Sequence, residues 1–148
     1  MRHVGAVLAA LLLAVIAAAP AFGDPVAIGQ VKTASGGATI LRDGARLPAK
    51  PGDPVYQSDV VETGADGGIG ITFIDNSVFS TGPNAQLALQ QFSFNVQSLV
   101  GSMLAELRKG TLSVVSGDIT HHTPGAMRIK TPTAILGVRG TTFAVEVH

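Results

Sequence analysis

The chain has 148 residues, with ten Lys and Arg against ten Asp and Glu, and neither cysteine nor tryptophan. A formal charge of zero excludes the basic footprint of a nucleic-acid binder and the polybasic stretch of a membrane-surface protein. The missing cysteines exclude a disulfide scaffold and a thiol nucleophile, although not residence in an oxidising compartment.

Met1-Arg2-His3 is a short basic start, and residues 4–19 form an unbroken run of small and apolar side chains. Pro20 and Phe22 follow, and Asp24 is the first acidic residue. Two small-x-small sites, Ala19-Pro20-Ala21 and Ala21-Phe22-Gly23, suit a signal peptidase. The run is shorter than the ~20 apolar residues of a spanning helix and ends in proline. Residues 1–23 are therefore expected to be a signal peptide cleaved after Gly23, with a retained membrane anchor as the alternative. Cleavage would leave about 125 residues, enough to bury about two thirds of the unfolded surface in one core without metals or disulfides.

Beyond this segment, short β-branched stretches alternate with glycine-rich turns, the rhythm of an all-β domain. Residues 28–34 read as a first strand with Ile28 and Val31 inward, Ser35-Gly36-Gly37 as a turn, and residues 38–42 as a second strand. Asp43-Gly44 is a type I′ hairpin signal, because Gly tolerates φ > 0. Residues 47–53 carry Pro48, Pro51 and Gly52 and read as loop. Residues 55–63 bring Val55, Val60 and Val61, then a Gly-rich loop at residues 64–68. Residues 69–74 and 77–80 predict a hairpin about Asp75-Asn76, followed by a turn at Gly82-Pro83-Asn84. Residues 86–94 alternate through Leu87 and Leu89, and then shift phase to Phe92 and Phe94. Residues 98–109 are divided. Leu99, Met103 and Leu107 fall at helical spacing, yet Gly101 interrupts them, strand chemistry resumes at Gly110, and a period of two also fits. Residues 118–125 are polar, residues 127–130 form a short alternating strand, and residues 131–147 close the pattern.

The stretch Thr131-Pro132-Thr133-Ala134-Ile135-Leu136-Gly137-Val138-Arg139-Gly140-Thr141, with Phe143 after it, resembles the signature of the FecR protein domain. Asp59-Val60-Val61-Glu62-Thr63-Gly64, Phe73-Ile74-Asp75-Asn76-Ser77, Lys109-Gly110-Thr111 and Val114-Val115-Ser116-Gly117 match further landmarks in order. The resemblance covers residues 28–147. It implies an all-β periplasmic domain and favours a strand over residues 102–109. Regulators of that family also carry a cytoplasmic anti-sigma segment, a transmembrane helix and a receptor-contacting module. None has a counterpart in this sequence, so the sigma-regulator role is not expected to transfer.

Candidate chemistry is sparse. Gly137 and Gly140 let the backbone bend tightly around Arg139, whose five donors can reach carboxylates or strand carbonyls. A structural arginine tying a sheet edge is the favoured reading, and a partner-binding set of Gly137, Arg139, Gly140 and Thr141 is the functional one. His121 and His122 with Asp118 fall short of the three or four spaced ligands of a zinc site. Asp53, Asp59, Asp66 and Asp75 lie in or beside turns but lack a calcium-loop pattern, so ordinary turn chemistry is expected. No G-x-S-x-G or phosphate-loop string is present.

The expected architecture is all-β: one compact domain of many short strands, an irregular β-sandwich or a β-solenoid-like roll. The expected role is non-enzymatic and periplasmic, or secreted: binding an envelope protein or surface component, with a place in signalling, through an edge strand or a sheet face. A structural protein of the envelope that binds polysaccharide or peptidoglycan is the alternative, handicapped by the absence of Trp and by a single Tyr, Tyr56. A small hydrolase is the third reading. No cofactor, metal or nucleic-acid partner is expected, and no membrane span after cleavage.

Overall fold

The computed structural model describes residues 24–148, so the expected signal peptide lies outside the described residues. The strands are β1 (Gly29–Ser35), β2 (Thr39–Arg42), β3 (Ala45–Pro48), β4 (Pro54–Val55), β5 (Val60–Glu62), β6 (Gly68–Phe73), β7 (Val78–Thr81), β8 (Gln86–Phe94) and β9 (Gly101–Val115). A one-turn helix, α1 (Asp118–His122), precedes β10 (Met127–Lys130), β11 (Ile135–Gly137) and β12 (Thr142–Val147). The all-β expectation holds. Residues 101–109 are strand, and the polar stretch after Gly117 opens as a helix.

Two sheets share β9. In the first the order is β4, β1, β6, β7, then residues 110–115 of β9, then β12, all antiparallel. In the second the order is β3, β2, β5, β8, then residues 101–109 of β9, then β10 and β11. Only the β9–β10 pairing is parallel. Strands that pass from one sheet to another turn the corner at a bend or bulge, and here the bend is Gly110, at φ +90°. Before it the buried residues are Met103, Ala105 and Leu107; after it they are Leu112 and Val114. The inward phase changes from odd to even at the bend, so both halves face one core.

Local chemistry places the other turns. Asp43 and Gly44, at φ 51° and 79°, link β2 to β3. The expected loop from Leu47 is strand as far as Pro48, which a sheet edge tolerates because its missing N–H costs no ladder bond there. A register shift between Leu89 and Gln91 lets Phe92 and Phe94 follow Leu87 and Leu89 inward despite the change of phase. The Asp75-Asn76 turn joins β6 to β7. Its buried Asp75 accepts hydrogen bonds from Ser77 N (3.1 Å), Ser77 Oγ (2.5 Å) and Ile119 N (3.4 Å). The same turn therefore seats α1.

Burial of each large apolar side chain contributes about 1.5–3 kcal/mol, and one continuous cluster draws on both sheets. Phe73 of the first sheet meets Phe79 edge-on at 4.8 Å and stacks on Phe92 of the second at 5.7 Å. Thr81 is a misfit in this core. It sits beside Ile69 and Leu112 in the ladder, and its buried Oγ1 has no partner among the described residues.

Two substitutions test this account by urea unfolding. Any Cβ at Gly110 would lie 2.6 Å from Ala85 and at a left-handed φ, so Gly110→Ala is expected to lower stability by about 2 kcal/mol or more. Thr81→Val removes the unpaired hydroxyl at nearly constant volume and is expected to be neutral or stabilising, by up to about 1 kcal/mol.

Candidate binding surface

The 131–141 stretch carries the chain from the second sheet to the first. Thr131 N donates to Ala134 O (2.8 Å) and Ala134 N to Thr131 Oγ1 (3.1 Å), closing the turn between β10 and β11. Val138, fully buried, donates through its N–H to Met127 O (2.8 Å) and accepts from Gly125 N (3.0 Å). Gly140, at φ +81°, is the pivot. Thr141 O then accepts from Ser116 N (2.8 Å), which aligns β12 on β9. Gly137, Gly140 and Thr141 thus share one crossover, held by its backbone.

Arg139 is exposed at that pivot, its guanidinium lying over Gly125. It forms no hydrogen bond or ion pair with the described residues, so the edge-tying role is not the one it plays in this structure. Arginines that do tie the second sheet are Arg46, which donates to Glu62 at 2.6 Å, and Arg42, which sequence reasoning passed over. Its Nε and Nη2 each donate to Asp59 carboxylate oxygens at 2.8 Å, Tyr56 N donates to the same carboxylate at 2.9 Å, and the guanidinium lies 4.5 Å over the Tyr56 ring. The hydrogen bond to Asp59 raises the Arg42 pKa further above its ordinary value, against the lowering effect of burial.

The crossover delivers β12 to an open edge. Its partner is β9 alone, and its other side pairs with no described strand. Along its outward face, Ser80, Ser113 and Ala144 form one lateral row across β7, β9 and β12. With Gly82, Thr111 and Glu146 they line a groove of about 540 Å³. Half-buried Phe143, Val145 and Val147 alternate on the inward face. A second groove, about 420 Å³, separates the end of β12 from the Thr131–Ala134 turn and Leu136. No sequence signal marks the Ser80-Ser113-Ala144 row, because it exists only once the register of three strands is known.

Asp59 and Asp75 are spent on turns and neighbouring strands, and Asp53 accepts from Lys50 N at 2.9 Å. His121 and His122 are exposed on α1. Among the described residues no three His, Cys, Asp or Glu side chains converge on a metal-sized site. No described helix is long and apolar enough to cross a membrane.

Two sheets joined through one strand define a small all-β domain whose last strand is reached by a sheet-to-sheet crossover. Residues 59–148 match the model of the family described as FecR protein, and the chain belongs to that family. No curated protein matches it. A solved structure described as a cell surface anchoring domain shares 29% identity, over 41% of this chain and 82% of its own, at a TM-score of 0.40.

Because Arg139 has no partner among the described residues, Arg139→Ala is expected to change stability by no more than about 0.5 kcal/mol in a urea titration.

Proposed function

We propose that the chain is a non-enzymatic binding module of the bacterial envelope, which takes an extended segment of a partner protein along β12. The observation that carries this reading is the contrast among the free strand edges. β4 has two residues, β11 three, and β3 four, ending in Pro48. β12 has six, with neither proline nor lysine among them. Long unprotected edges are the template for strand addition, in which main-chain hydrogen bonds supply affinity and alternate pockets supply specificity. The grooves on either side of β12 are such pockets. Arg139 stands at one end of the edge with its donors free of described partners, and Glu146 stands near the other, a polarity that can orient the added strand.

A sugar-binding reading is weaker. Arg42 covers one face of the single tyrosine, and carbohydrate platforms need an open aromatic face. The envelope location rests on family membership together with the export signal expected at residues 1–23.

The test is photocrosslinking in cells from residue 144, with residue 47 on the opposite edge as control. One dominant polypeptide is expected from residue 144 and none from residue 47, with the yield cut severalfold by Arg139→Ala. Equal yields from both edges, or glycan alone, would refute the reading.

A further inference from the structure

Among the described residues, eight large hydrophobic side chains are exposed, and five of them belong to one end of the molecule: Val26, Ile74, Val96, Leu99 and Val100. Val26 and Ile74 line a groove of about 440 Å³ with Tyr56, Phe92 and Phe94. The tip of the β8–β9 hairpin continues directly from Phe94 and carries the other three. From Leu87 to Ala105 the sequence holds no charged residue, so nothing ionised must be desolvated when this tip leaves water.

The backbone of the tip is also prepared to leave water. Asn95 N donates to Val100 O at 2.9 Å and Leu99 N to Asn95 O at 2.8 Å. Asn95 Oδ1 accepts from Gln97 N (2.9 Å) and Ser98 N (3.0 Å), and Ser98 Oγ lies 3.4 Å from Val100 N. In an apolar medium each unpaired N–H costs several kcal/mol, and here five are paired within the turn. Leu99 is held at φ 61°, a conformation costly for a branched side chain. A tip that exposes Val96, Leu99 and Val100, pairs five of its N–H groups, carries no charge and holds a leucine under strain is poorly explained by contact with water.

We propose that this end docks on a phospholipid surface, with the β8–β9 tip dipping into the interface and the Val26–Phe94 groove lying against it. Chain geometry favours a bilayer over a second copy or a protein groove. The apolar run of residues 4–19 ends five residues before Asp24, a stretch that spans at most ~18 Å. A chain still held in a bilayer by that run, before cleavage or without it, therefore brings Val26 and the neighbouring tip to the lipid. The proposal uses the envelope location above only to say where lipid is met.

The chain has no cysteine, so Val96→Cys accepts a single environment-sensitive fluorophore in the full-length protein. Asp66→Cys, at the far end of β1, is the control. With vesicles of phosphatidylethanolamine and phosphatidylglycerol, the label at 96 is expected to shift to the blue. Quenching by acyl-brominated lipid should be about threefold stronger there than at 66, as interfacial insertion of one end requires. Adding Val100→Asp to the labelled chain should abolish the quenching while circular dichroism stays unchanged. A label at 96 that remains in water at saturating lipid overturns the proposal. So does a blue shift that follows protein concentration without lipid, which would assign the patch to a second copy. Vesicle docking and crosslinking from residue 144 are read at different ends of β9, so failure of one leaves the other standing.

Discussion

Continuity of the main chain through Gly110 is the constraint on which the rest of the structure depends. The fifteen residues of β9 do not keep one phase inward across the two sheets. The phase of its side chains must slip once, and the residue at the slip must tolerate both a left-handed φ and the close approach of Ala85. Only glycine meets both conditions. With that slip in place, β9 offers four ladders: β8 and β10 on one half, β7 and β12 on the other. The sheets do not merely face each other; they are hydrogen-bonded to the same segment. Phe73, bridging Phe79 and Phe92, then fills the space between them.

This slip also explains which parts were legible in the sequence. Turns announced by Asp-Gly or Asp-Asn, and strands with clean alternation such as β6 and β7, could be read directly, because their causes are local. Residues 98–109 could not. Leu99, Met103 and Leu107 repeat every four positions because Leu99 belongs to the hairpin tip, whereas Met103 and Leu107 belong to a strand. The helical spacing is a coincidence of two structures. Likewise the phase shift between Leu89 and Phe92 records a bulge whose partner lies on β9, and periodicity within one strand cannot name that partner. The candidate site follows the same rule. Gly137 and Gly140 were readable as a bend, but that the bend delivers β12 to an open edge depends on a register set by residues 110–115. The ion pair that spacing offered to Arg139 is made by Arg42 instead, because the carboxylate that captures an arginine is chosen by strand order.

The two surfaces at either side of this frame differ in kind. At β12 the exposed chemistry is main-chain hydrogen bonding flanked by small side chains, which suits a directional contact with an extended peptide. At the β8–β9 tip five N–H groups are already paired and Val96, Leu99 and Val100 are exposed beside uncharged Asn95, Gln97 and Ser98, which suits a partner with few directional demands. One strand, β9, begins at the tip and ends at the edge, so the two surfaces hold fixed positions relative to each other.

The shared strand also governs when the domain can form. β6–β7 is built from neighbouring segments, but the edges of β7 and β8 stay unfilled until residues 101–115 arrive. Apart from the β8–β9 hairpin, the ladders that then close are long-range in sequence, and such contacts repay the entropy of ordering the chain only after large loops have closed. The N-terminal two thirds therefore has no finished core of its own and no reason to settle early. Late closure keeps the chain extended and threadable until residues 101–115 are free to pair, and then both sheets form around β9 together.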